Sequence, residues 1–223
     1  VTEAILPDLK LVGTTASAGG RFGNVRITGE AKMSGGLYCR SLKCMGTVDL
    51  DGSLQAALLK LTGECHVHSD MKVSKIRAIG QIEVSGNLTG EQVKITGGLQ
   101  ASGNCEAESF QVRGAIELDG LLNADEVDIR LHGYSRAKEI GGGSITVKRS
   151  RVHWFNTVLS SRRERELTSD LIEGDTVHLE YTTASVVRGN RVTIGPGCRI
   201  GRVEYRDDLR IDKNASVKER MRR

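Results

Sequence analysis

The chain is predicted to be all-β, a parallel β-helix wound from coils of about 17 residues, the period at which the sequence repeats itself. Three observations point there. Glycines return at a constant interval, apolar and polar residues alternate between them, and only 4% of the 223 residues are aromatic while 27 are glycine. Alternation is the period of a strand with one buried face. A chain so poor in large rings does not build an ordinary compact core, and only two prolines in a glycine-rich chain argue against low-complexity disorder.

The repeat is read first, because self-similarity at a fixed period decides the architecture. The strings VRITG, LKCMG, LKLTG, IRAIG, VKITG and FQVRG end on Gly29, Gly46, Gly63, Gly80, Gly97 and Gly114, each one 17-residue step beyond the last. A second series, Gly35, Gly52, Gly86, Gly103 and Gly120, keeps the same phase, with Ser69 filling its gap. Three short alternating stretches per repeat are too short for a self-contained sandwich. They suit one coil of a triangular solenoid, with glycine at the corners where a Cβ would restrict the backbone.

The inward slots then form columns. The first is Val25, Leu42, Leu59, Ile76, Val93 and Phe110; the third is Ala31, Val48, Cys65, Ile82, Leu99 and Ile116. Across all six columns, 36 positions, only Gly90 is not apolar. Cys39, Cys44, Cys65 and Cys105 fall on these slots, where a thiol serves as a small apolar filler. Five cysteines without CxxC spacing suit a reducing compartment, so a cytoplasmic location is expected.

Six full copies run from Val25 to Glu126, and a degraded seventh from Val127 to Gly143 places Gly133, Ser135 and Glu139 on slots that were apolar. Upstream, Leu9-Lys-Leu11-Val-Gly13 reads as an earlier coil. The expected organisation is regular coils over 1–148, a loop or short helical insertion over 149–171, an irregular continuation over 172–217 and a basic tail over 218–223. The insertion carries Trp154, Phe155 and the charged run Arg162-Arg163-Glu164-Arg165-Glu166. It is expected to cover an exposed sheet edge or to dock a partner.

Little enzymatic chemistry is visible. There is no GxSxG, HExxH or phosphate-loop pattern, and Gly195-Pro-Gly197 lacks the Lys and helix of a nucleotide loop. The stretch Val192–Gly201 resembles the hexapeptide left-handed β-helices, many of them acyltransferases, but the 17-residue period does not match three six-residue faces. His66-Val-His68-Ser-Asp70 is the best metal candidate. The column arithmetic reads it instead as cross-strand pairing with Asp49, Asp51 and Glu83, since a firm zinc site needs three or four converging ligands. No metal, cofactor, catalytic residue or small-molecule substrate is expected.

The formal charge of +4 is mild and gives no reason to expect nucleic acid. One outward column, however, is Arg26, Lys43, Lys60, Arg77 and Lys94. Like charges on adjacent strands repel. Such a face either stays solvated and resists sheet stacking or meets an acidic surface: membrane headgroups, nucleic acid, or another filament or scaffold protein. Asp49, Asp51, Glu83, Glu117 and Asp119 gather on another face, which makes lateral pairing of copies conceivable.

These glycine-punctuated coils, as in Val25–Leu37 and Val93–Leu99, resemble the bactofilin family of bacterial polymer-forming cytoskeletal proteins. The likeness is clear over about residues 9–147, and Ile172-Glu-Gly-Asp175, Val187-Arg-Gly189 and Val192-Thr-Ile-Gly195 resemble the extended distal half of some relatives. It implies a right-handed β-helix that polymerises end to end without nucleotide, in the cytoplasm and often against the membrane. The hand comes from the resemblance, since either hand satisfies inward alternation. The expected joint uses Leu9, Leu11 and Phe22 at one end and Leu209, Ile211 and Val217 at the other. The alternative is a non-polymerising adaptor that docks on a membrane or protein through the basic face.

Overall fold

The computed structural model describes residues 6–150 and 166–223, and every regular element among them is a β-strand. All strand pairings are parallel. The protein is thus a β-solenoid whose coils follow the 17-residue step wherever the sequence repeat is regular. Trp154, Phe155 and the charged run up to Arg165 lie outside the described residues. The chain forms two compact units, Val1–Glu108 and Ser109–Arg223.

The first unit holds β1 (Leu9–Leu50), β2 (Leu54–Val67), β3 (Met71–Val84), β4 (Leu88–Thr89), β5 (Gln92–Ala101) and the opening residues of β6 (Cys105–Leu131). Leu37 pairs with Leu54, Leu54 with Met71, Ile76 with Val93 and Leu88 with Cys105, so each coil lies on the last with a 17-residue offset. Each coil has three straight legs. In β2 and its surroundings the inward pairs are Leu54/Ala56, Leu59/Leu61 and Cys65/Val67, all buried. Burying an aliphatic side chain of this size is worth about 1.5–3 kcal/mol, and the columns repeat that gain at every coil.

At the corner between the second and third inward pairs, Gly63 has φ 128° and Gly80 has φ 133°. A Cβ on Gly63 would clash with the carbonyl oxygen of Gly46, and one on Gly80 with that of Gly63. Both the left-handed backbone and the coil below therefore exclude a side chain. Another corner is tied by side chains. Asp70 Oδ1 accepts from Asn87 N at 2.8 Å, and Asn87 Oδ1 accepts from Asn104 N at 2.9 Å.

Cys44, Cys65 and Cys105 are buried, Cys39 is half-buried, and all are free thiols. Burial pushes the thiols of Cys65 and Cys105 up to about 12 and those of Cys39 and Cys44 up to about 11. At neutral pH they are packing groups, because the thiolate is the reactive form.

The second unit holds the rest of β6, then β7 (Ser135–Arg149), β8 (Leu167–Leu179), β9 (Thr182–Ile194), β10 (Arg199–Ile211) and β11 (Ser216–Arg222). Here the period drifts. Glu117 pairs with Arg136 but Leu121 with Glu139, so the register shifts between Leu118 and Leu121. That shift corrects the expectation for the seventh coil. Ile140, not Glu139, lies opposite Leu122 and is buried. Ser135 does point inward, fully buried, and its hydroxyl accepts from Ile116 N at 3.1 Å.

Further on, Leu167 pairs with Thr182, a 15-residue offset, while Leu209 pairs with Val192, an offset of 17. The columns survive: Val127, Ile145, Val177 and Val192 stack, as do Ile129, Val147, Leu179 and Ile194. Two expected boundaries move. The paired chain resumes at Leu167 rather than after residue 171, because Leu167 is itself a buried core residue. The expected tail over 218–223 is instead mostly strand β11, paired with β10 from Ser216 to Arg222.

The stacked glycine corner yields a stability prediction. Gly63→Ala should lower the melting temperature sharply, with a loss of about 2–4 kcal/mol from backbone strain and collision. Gly133→Ala, whose added Cβ would sit 3.7 Å from Ala115 Cβ, should be nearly neutral. Thermal unfolding followed by circular dichroism compares the two.

Candidate functional site

Terminal coils are where a solenoid exposes what it otherwise buries. In the first unit, β1 opens with Leu9 and Leu11, and Phe22 closes the same coil; all three are half-buried, whereas Val25 and Ile27 one coil later are 1% exposed. Thr15 and Ser17, also half-buried, occupy the remaining leg of that coil, and Val12 is 61% exposed. Among the described residues no strand pairs with the outer edge of this coil, and a strand edge of that kind is a template for another strand.

In the second unit, Leu209 and Ile211 lie on β10 and Val217 on β11, again half-buried. Val217 stacks on Ile200, and Leu209 and Ile211 stack on Val192 and Ile194. One neighbour was not foreseen. Arg220 pairs with Val203, which is fully buried and follows Val187, so a cationic residue, itself exposed, takes the next register position after a core column. A charged residue on the last strand is a recognised way to blunt a sheet edge. The two terminal coils are therefore chemically unequal, one apolar and hydroxyl-lined, the other carrying a cation.

The basic column forms as expected. Lys43 pairs with Lys60, Lys60 with Arg77 and Arg77 with Lys94, and these four and Arg26 are all exposed. None of the five forms an ion pair with another described residue. The next outward column on the same leg holds Met45, 64% exposed, and Ile79, 63% exposed. Alternation alone places both residues outward, yet the expectation drawn from the charges passed over them.

The histidine strand also sits as the columns place it. His66 Nδ1 lies 3.1 Å from Glu83 Oε2, and His68 Nε2 lies 2.8 Å from Asp49 Oδ1. Donor atoms of Asp49, Asp51 and His68 fall within 4.8 Å of one another. These three could hold a divalent cation only as an open tridentate site completed by water, on a surface where His68 is more than half exposed.

The groove of the second unit was not legible beforehand. Gly142, Gly174 and Gly189 stack in consecutive coils and leave a bare backbone floor under a cavity of about 750 Å³. Its walls include Asp125, Glu139, Glu173, Asp175, Arg188 and Glu204. Arg188 bridges two of them, reaching Glu173 at 2.6 Å and Glu204 at 2.9 Å. Glu204 is 4% exposed because arginines cover it: Arg188, Arg223 and, at 3.8 Å, Arg202. Asn190 donates to Asp175 at 2.9 Å. Among the described residues that line the groove there is no Ser, Thr, Cys, His or Lys. Glu173, Arg188 and Glu204 recur at offsets of 15 and 16, a signal visible only once the period is allowed to shrink from 17.

No family model matches the chain, and no solved structure matches it. Part of it is similar to two proteins of Bacillus subtilis (strain 168), both described as uncharacterized. YhbF is 48% identical over 89 residues, 40% of this chain and 35% of YhbF. YhbE is 44% identical over 94 residues, 42% of this chain and 39% of YhbE. The matched stretches span well under half the length of either relative. Among the described residues no helix is long and apolar enough to cross a membrane.

Hydrogen bonding from Arg188, ahead of the opposing effect of desolvation, holds the Glu204 carboxyl below its ordinary value. A depressed carboxyl stabilises the fold above its unfolded value, about 4.3, and that contribution is lost as pH falls through the lower folded value. Glu204→Gln should therefore melt several degrees below the parent at pH 7, and the gap should close as the pH drops below that range. Melting curves across acidic pH measure this.

Proposed function

We propose that this chain is a structural protein that assembles end to end into filaments without nucleotide, and that it performs no catalysis. The observation that carries this reading is the terminal coil of the first unit. There the outer strand edge has no partner among the described residues and lies beside the half-buried Leu9, Leu11 and Phe22. A second strand laid on that coil would complete a hydrogen-bond ladder and bury the apolar layer. No hydrolysis is needed to drive such a step, since burial of apolar surface supplies the free energy. The sequence resemblance to bactofilins supports the same reading, and with it a right-handed coil. Five free thiols suit a reducing compartment such as the cytoplasm.

Growth beyond a pair of copies requires the second unit's terminal coil as well. Leu209, Ile211 and Val217 offer a similar layer, but Arg220 must turn outward or meet a carboxylate before a coil can close over it. Burying an unpaired charge is strongly unfavourable. This joint is accordingly the weaker of the two. Open growth also demands that successive joints do not close on themselves.

Two single substitutions and one image test the reading. Purified protein at tens of micromolar should show filaments by negative stain. Leu11→Asp and Ile211→Asp should each abolish them, leaving monomers or dimers, with the β-type circular dichroism unchanged. A parent protein that stays monomeric across salt conditions would falsify self-assembly.

A further inference from the structure

Two consecutive coils of the first unit carry metal-ligating side chains outward where their third leg ends. β1 closes at Leu50 and β2 at Val67, and these two residues pair in register. Asp49 and Asp51 flank Leu50, as His66 and His68 flank Val67. Val48, Leu50, Cys65 and Val67 are all buried, so the core fixes the backbone from which the outward side chains stand. The backbone amides of Asp51 and His68 donate to the carbonyls of Met33 and Leu50 at 2.9 and 3.0 Å, which carries that frame one residue past each strand.

Asp49 and Asp51 are like charges on one face, two residues apart, and among the described residues no Lys or Arg pairs with either. Asp49 Oδ1 has His68 Nε2 at 2.8 Å. The Asp51 carboxylate has no hydrogen-bond or ion-pair partner among the described residues. One imidazole and two carboxylates thus converge from two coils, with donor atoms within 4.8 Å of one another. Bonds of about 2.0–2.2 Å to a single ion set donors roughly 3–3.5 Å apart. Asp51 and His68 are exposed, so rotation of their side chains closes that difference. His66 is engaged elsewhere: its Nδ1 faces Glu83 at 3.1 Å and its Nε2 faces Glu64 at 3.6 Å.

We propose that Asp49, Asp51 and His68 bind one divalent transition-metal ion of the zinc class, which clips two consecutive coils together. The two carboxylates balance the charge of the ion, and the ion supplies the counter-charge that no Lys or Arg provides. A ring nitrogen among the donors selects zinc and its first-row neighbours over magnesium and calcium, which take oxygen. Three protein donors leave the remaining position to water. Stacking alone brings residues 49–51 to residue 68, so the ion binds the folded coils and stabilises them. None of the terminal-coil residues takes part, and the site stands or falls independently of filament growth.

The test is a calorimetric titration of the full chain with Zn²⁺, beside thermal melts followed by circular dichroism. One ion should bind per chain, and Mg²⁺ should give no binding under the same conditions. At about tenfold excess of Zn²⁺ over its dissociation constant the melting temperature should rise by about 2–4 °C. Asp51→Asn and His68→Ala should each weaken binding about tenfold or more, whereas His66→Ala and His178→Ala should leave it unchanged. Co²⁺ in place of Zn²⁺ should give a d–d spectrum without a thiolate charge-transfer band, which separates this site from the cysteines.

The inference is overturned if Zn²⁺ shows no saturable one-to-one binding, or if Mg²⁺ binds equally well. It falls too if the cobalt spectrum carries the thiolate band. Equal weakening by His66→Ala, His178→Ala and His68→Ala would mean adventitious binding to surface histidines only, and would likewise overturn it. Should His68→Ala fail to fold, His68→Gln takes its place with the same expected loss.

Discussion

Everything in the first unit depends on one coil passing directly over another at the glycine corner. Gly46, Gly63, Gly80 and Gly97 are in register, each with its Cα facing a carbonyl oxygen from the coil below. Because that approach leaves no room for a Cβ, the corner sets where each coil turns. Once the turn is placed, alternation decides which residues face inward, and the 17-residue offset decides what they stack on. The hydrophobic columns, the Asp70–Asn87–Asn104 side-chain ladder and the basic column all follow from the same repetition. A shift of one residue would put Lys60 into the interior and Leu59 into water.

This explains why so much of the fold was readable in advance. A strict repeat converts a three-dimensional question into a comparison of one string with itself, and every slot of the first unit was assigned that way. Reading became unreliable where repetition loosened. The register change between Leu118 and Leu121 moved Ile140 into the slot that a constant period gives to Glu139. The 15-residue offset between Leu167 and Thr182 concealed the alignment of Glu173, Arg188 and Glu204. The final strand was hidden differently: Lys218, Arg220, Arg222 and Arg223 look like a solvated tail, yet β11 pairs with β10 and Arg223 reaches Glu204. Of the candidate site, the slots of the repeat already placed the half-buried apolar residues of the first and last described coils. Arg220 was not, because recognising a charge in a core column requires knowing that the column continues that far.

The two units solve the same packing problem with different chemistry. In the first, the corner is closed by backbone alone, and the outward faces remain free to sort their charge by leg. In the second, stacked glycines open a groove, and the side chains along its walls are spent on one another through Arg188 and Glu204. The irregular unit uses its charge to hold itself together, which also makes its stability the more sensitive to acid.

The equal 17-residue offset has a further implication for how such a chain can change length. Duplicating or deleting one whole coil of the first unit, for example Leu54–Asp70, would join ends that already superpose on their neighbours. The columns, the corner and the basic row would simply gain or lose one rung. The second unit has no such interchangeable module, since offsets of 19, 18, 16 and 15 occur among its coils and make each specific to the one beneath it. Lengthening by recombination is thus open to one half of the molecule and closed to the other.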